Sequence, residues 1–116
     1  MRRVVVTGIG GVTALGNDWP GIRARLERGE TAIRYMAEWE RFDGINTRLA
    51  APVLDFAASQ LYPRKKTRTM GRVAGMSVYA SEQALVMAGL RDDPVIQSGR
   101  TGIAYGSSFG SPPPVV

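Results

Sequence analysis

Residues 2–10 read "RRVVVTGIG", two arginines leading into an unbroken β-branched run that stops at glycines. A strand with one wet face alternates apolar and polar residues. A continuous apolar run belongs to a strand covered on both faces, as in a parallel sheet. Arginines ahead of an apolar stretch also open secretion signals. Here four glycines and two threonines dilute residues 1–16, and no A-x-A-like cleavage site follows. The stretch therefore reads as a buried strand and turn, expected in a cytoplasmic protein.

Outward from this strand the pattern alternates. "NDWPGIRARLERG" (17–29) predicts a helix, with Asn17 or Asp18 as cap, Pro20 in its first turn, Ile22 and Leu26 on one face and Gly29 as its stop. "INTRLAAPV" (45–53) reads as an edge strand, because Pro52 cannot sit in a central ladder. The longest helix is expected from about Thr67 to Ala88, capped by Gly89-Leu90. A last strand, "RTGIAYGSS" (100–108), follows. Strand, helix, strand, helix, strand is an α/β order.

The long helix is unusual in being lined with small residues: Gly71, Ala74, Gly75, Ser77, Ala80, Ser81, Ala84 and Ala88. Each glycine costs roughly 1 kcal/mol in helix propensity. That cost is tolerable where another backbone must come close, which places this helix inside a layered structure.

The chain contains no cysteine and no histidine. That removes thiolate chemistry, the commonest general base and the commonest metal ligand, and no metal site is expected. No run of 18 apolar residues is present, so no membrane span is predicted.

Three stretches could carry chemistry. "GSSFG" (106–110) fits the G-x-S-x-G of a serine nucleophile. Ser108 has no histidine to activate it, so a tight turn leaving a strand is the better reading. "TGIGGVTALG" (7–16) offers Gly8 and Gly10 of a dinucleotide fingerprint, but Thr13 stands at the third position and no acidic residue ends a following strand. Close backbone packing is preferred there.

The third stretch is basic. Arg64, Lys65, Lys66, Arg68 and Arg72 fall within nine residues, and no Asp or Glu occurs between residues 56 and 81. The other ten basic residues balance the ten acidic ones, so the formal charge of +5 resides here. Placed around the start of the long helix, these cations oppose its dipole, so helix stability does not explain them. Two readings stand, a solvated face and a surface for an anionic partner. Nucleic acid is disfavoured, because Tyr62 is the one aromatic near enough to stack and no DNA-reading motif accompanies the run.

Together these pieces resemble one family. "RRVVVTGIGGVTALGNDW", "IRARLERGETAI", "RFDGINTRLAAPV", "KKTRTMGRVAGMSVYASEQALVMAGL" and "RTGIAYGSS" occur in the order found in β-ketoacyl-acyl-carrier-protein synthases of the type II condensing kind. The resemblance runs to about Gly110 and corresponds to the opening portion of those longer enzymes. It implies a thiolase-like fold of five α-β-α-β-α layers, with residues 1–111 forming part of its N-terminal domain. Residues 112–116 make a Pro-rich end that departs from the family.

The implied reaction is a decarboxylative Claisen condensation in fatty acid or polyketide synthesis. A cysteine carries the acyl chain, and two histidines and a lysine assist. All lie beyond this chain's last residue in the family, as a truncation ahead of the active site would give. The resemblance implies no cofactor, an acyl carrier protein as partner and a homodimer. Phe109 and Ser108 match the turn beside the acyl pocket, with Phe109 able to gate its depth. Lys65 and Arg68 match basic positions near the carrier-protein docking site, flanked by Arg64 and Lys66. A chain-length-factor subunit is the alternative within the family. Outside it, the alternative is a stand-alone module that uses the basic helix end to hold an acidic protein or nucleic acid.

Overall fold

A computed structural model describes residues 1–111; the Pro-rich end, residues 112–116, lies outside them. Helix α1 spans Trp19–Glu27. Asp18 caps it by accepting from the Gly21 N–H at 2.8 Å, and Pro20 occupies its first turn. Gly29, at φ +68°, ends it: the Gly29 and Glu30 N–H groups turn back onto the Leu26 and Arg25 carbonyls. Ile22 is buried against Gly11 and Gly16, whereas Leu26, expected on the same face, is half exposed.

A two-residue strand β1 (Arg34–Tyr35) pairs antiparallel with β2 (Leu49–Ala50), Arg34 opposite Ala50 and Tyr35 opposite Leu49. β2 falls within the predicted edge strand and stops before Pro52. Two short helices follow, α2 (Ala58–Leu61) and α3 (Arg64–Thr67), then the long α4 (Arg72–Met87). The C-terminus of α4 closes as expected, with Gly89 at φ +69° and its N–H and that of Leu90 on the Val86 and Leu85 carbonyls.

The N-terminus of α4 requires a correction. The helix begins at Arg72, not near Thr67, because Gly71 is extended (φ −70°, ψ 169°) and breaks the chain. The basic run consequently makes a turn of its own, α3, with Arg68 as its C-terminal cap. α3 is a single turn that opens at Arg64, so its first and last turns coincide and its dipole neither penalises nor rewards Arg64, Lys65, Lys66 and Arg68. Only Arg72 sits in the first turn of α4.

The predicted strands at 2–10 and 100–108 are not joined into a ladder among the described residues. Both nevertheless lie along α4. A Cβ on Gly8 or Gly10 would collide with the Ala84 or Ala80 carbonyl, so the first segment rests on the alanine row of the helix. The Ile9 N–H points at the Met87 sulfur at 3.4 Å. The second segment rests on the adjacent serine row, where the Tyr105 hydroxyl meets Ser81 Oγ and lies 3.4 Å from the Ser77 carbonyl. The close packing read from "TGIGG" and the small residues of the long helix are thus two sides of one contact.

Little covers these segments among the described residues. Val4 and Val6 are 94% and 84% exposed and Ile103 81%, and among the described residues only Ile22, Met36 and Phe56 are buried apolar side chains. The radius of gyration, 17.4 Å, exceeds the roughly 13 Å of a compact domain of this size. A parallel strand draws both its hydrogen bonds and its apolar cover from neighbours.

Candidate functional site

The basic turn stands on a packed ledge. Phe56 is buried edge-on against Tyr79 of α4, ring centres 5.7 Å apart. Two residues on, Ala58 of α2 sits where Gly75 of α4 has no side chain; a Cβ there would stand 2.8 Å from that of Ala58. Gly75 is the one buried residue of α4, so this small-on-small contact sets how closely α2 approaches. Arg72 closes the ledge from below, donating to the Phe56 carbonyl at 3.0 Å and the Val53 carbonyl at 2.6 Å. Although it belongs to the basic run in sequence, Arg72 is therefore committed to the fold.

At the end of α2 the Tyr62 hydroxyl donates to Glu82 Oε2 at 2.7 Å. Burial, reinforced by the neighbouring carboxylate, pushes the phenol up to about 12, so it stays protonated and donating across the neutral range. Two residues later α3 begins. Arg64, Lys65, Lys66 and Arg68 are all exposed, and none pairs with a carboxylate among the described residues. The ion pairs found there are elsewhere, at Arg23–Glu27, Arg25–Glu30 and Arg28–Glu30. Four unpaired cations on one turn form a compact positive patch.

The second candidate region is the turn 106–111. Gly110, at φ +64°, donates its N–H to Ser107 Oγ at 2.9 Å, which is the tight turn expected of "GSSFG". Ser111 then reaches α4: its Oγ accepts the Val73 N–H at 2.8 Å, capping a helix whose own cap residue, Gly71, has no side chain. A Cβ on Gly71 would lie 2.6 Å from that of Ser111, so the glycine also makes room for its substitute cap.

Between this turn and α4 lies a groove of about 640 Å³, lined by Val73, Ala74, Ser77, Val78, Tyr105 and Ser107 among others. Ser108 and Phe109 lie outside that lining, and Phe109 is 91% exposed. The structure brings Arg64, Lys65, Lys66 and Arg68 together on one turn and places Ser108 and Phe109 on another.

Residues 1–113 match the family described as "Beta-ketoacyl synthase, N-terminal domain". The chain belongs to the β-ketoacyl synthase family. It is 33% identical over 112 residues to 3-oxoacyl-[acyl-carrier-protein] synthase 1 of Haemophilus influenzae, covering 96% of this chain and 27% of that protein. The crystal structure of a β-ketoacyl synthase from Burkholderia phymatum STM815 is similar over 93% of this chain and 26% of that one, with 55% identity and a TM-score of 0.79. The ishigamide ketosynthase/chain length factor structure is 31% identical, with a TM-score of 0.61, over 79% of this chain and 23% of that one. The chain thus spans about a quarter of the length of the relatives it matches.

The fold is accordingly α/β, the N-terminal part of the thiolase-like synthase fold. Family membership speaks against a stand-alone binding module. Among the described residues no group of His, Cys, Asp and Glu is arranged to hold a metal ion, and no helix is long and apolar enough to cross a membrane.

Sequence reasoning missed three structural contacts that shape these regions: Tyr62–Glu82, the Arg72 clamp and the Ser111 cap. Glu82 left a signal, as the first acidic residue after an acid-free stretch of 26 positions (56–81). Ser111 left none, since it acts 38 residues from Val73.

Proposed function

We propose that this chain is the N-terminal portion of a β-ketoacyl-acyl-carrier-protein synthase, an acyltransferase that extends acyl chains by decarboxylative condensation with malonyl carrier protein. The observation that carries this reading is the match to the synthase N-terminal domain along residues 1–113, with a solved synthase 55% identical over most of it. The residue that takes the acyl group is supplied outside these 116 residues, since they contain neither cysteine nor histidine. The 116-residue chain alone is inactive in this reading, and the working enzyme is a cytoplasmic homodimer.

Within that enzyme the turn of Arg64, Lys65, Lys66 and Arg68 receives the acidic face of the carrier protein. Support comes from the geometry: four exposed cations without carboxylate partners among the described residues, on a turn fixed from beneath. Charge complementarity of this kind acts mainly on encounter. Ser108 and Phe109 border the acyl pocket, and Phe109 limits its depth. Its exposed ring is available to the part of the enzyme that would close over it.

The test uses a chimaera in which residues 1–111 replace the matching segment of the Burkholderia phymatum synthase. Lys65→Glu with Arg68→Glu should weaken acyl-carrier-protein binding several-fold at low salt. The gap should narrow as the Debye length falls from about 30 Å at 0.01 M to about 10 Å at 0.1 M. Equal affinity of the two proteins at every ionic strength would return the run to a solvated face.

A further inference from the structure

The carrier-docking reading assigns work to the cations and leaves open what holds them in place. A four-residue helix has no stability of its own, because nucleating a turn costs more than its few hydrogen bonds return. α3 is such a helix, and none of its residues is buried. The preceding Pro63 is exposed and offers no side-chain cap. Whatever orients Arg64, Lys65, Lys66 and Arg68 must therefore act from a neighbouring element.

The nearest fixed point is Tyr62. Its backbone N–H closes α2 on the Ala58 carbonyl at 2.9 Å, and its ring is half-buried. Its hydroxyl reaches across 20 positions to Glu82, in the middle of the sixteen-residue α4. The first hydrogen bonds of α3, from Lys66 and Thr67 N–H to the Pro63 carbonyl at 2.8 and 3.2 Å, begin one residue beyond it. The other links between this ledge and α4, the Phe56–Tyr79 pair, the Ala58–Gly75 contact and the Arg72 clamp, all lie further back in the chain. Among the described residues Tyr62–Glu82 is the last side-chain bond tying the chain to α4 before the basic turn.

We propose that Tyr62 is a positioning residue for carrier-protein docking, holding the Arg64–Arg68 turn in a fixed place through its hydrogen bond to Glu82. This rests on the docking reading above. A turn held in place loses less freedom when the partner arrives, and that saving appears as affinity. Glu82 is also the carboxylate nearest in sequence after the patch, yet it neutralises none of the four cations; its oxygen is occupied by the phenol.

The test separates this role from electrostatics, because the two predict opposite signs. Glu82→Ala removes a negative charge from a face that meets an acidic protein, so charge alone predicts tighter binding. Loss of the tie predicts weaker binding. In the chimaera, Tyr62→Phe and Glu82→Ala should each raise KM for the carrier-borne acyl substrate by about three-fold to ten-fold, the range of one net hydrogen bond. kcat, and KM for the same acyl group on coenzyme A, should not change. Glu82→Gln keeps an acceptor for the phenol and should restore binding.

Unchanged or tighter carrier binding in Tyr62→Phe and Glu82→Ala would overturn the proposal. So would equal losses with the coenzyme A substrate, which would make the bond a general structural one. The Lys65→Glu, Arg68→Glu double variant, run alongside, distinguishes the two readings. If it alone weakens carrier binding, docking stands and the positioning role falls; if it too has no effect, the docking reading itself has failed.

Discussion

Two regions of this molecule, built from equally apolar sequence, reach opposite ends of structural completeness. From Val53 to Leu90 the chain ties itself together through helix hydrogen bonds, glycine caps, the Arg72 clamp and the Tyr62–Glu82 bond. From 2 to 9 and from 101 to 106 it lies along α4 with no ladder partner among the described residues, and Val4, Val5, Val6 and Ile103 stand exposed. The difference is one of range. A helix satisfies its backbone within four residues, whereas a strand must borrow its partners from elsewhere in the chain. A quarter-length segment of the synthase fold can therefore carry complete helices and incomplete strands.

The contact between the two regions can be broken at one atom. Gly10→Ala drives a methyl group into the Ala80 carbonyl, and neither backbone can yield without moving a helix or a strand. In the chimaera this should cost about 3 kcal/mol, at the upper end of overpacking. Its neighbour is the control. A Cβ on Gly11 would meet only side-chain carbons of Ile22 and Thr13, at 3.9 and 4.0 Å, and Gly11 is not at positive φ. Gly11→Ala should be neutral or stabilise by up to about 1 kcal/mol. Denaturant melts of both variants decide it, and equal effects would mean that the strand does not rest on α4 as described.

A smaller effect sharpens the other end of the same helix. Ser111→Ala removes the hydroxyl that caps Val73 and should cost about 1 kcal/mol, the usual worth of a cap. Gly71→Ala should reproduce that loss by displacing Ser111. A double variant no worse than either single change would establish that both act through one contact.

These same features show what could be read from sequence. The caps of α1 and α4 were legible because Asp18, Gly29 and Gly89 act on residues beside them. The small residues of α4 and the glycines of "TGIGG" each announced a close approach, although neither stretch alone says that they approach one another. The break at Gly71 was not legible: glycine also occurs inside α4, at Gly75, where packing on Ala58 retains it. Local propensity cannot distinguish those two glycines. The turn 106–111 was legible as a turn, but its cap on α4 depends on a residue 38 positions away. The cations were visible as a cluster; that Arg72 is spoken for required the carbonyls of Val53 and Phe56 to be placed.

Amide hydrogen exchange tests the central claim, that this chain is one part of a larger sheet fold, most directly. It compares residues 1–111 within the 116-residue chain and within the chimaera. In the chain alone, amides of α4 should be protected while those of residues 3–9 and 101–106 exchange at nearly the rate of an unfolded peptide. In the chimaera both strand segments should become protected to the level of α4. Strand amides already protected in the monomeric chain, at the same level as in the chimaera, would contradict the claim and make these 116 residues a self-sufficient fold.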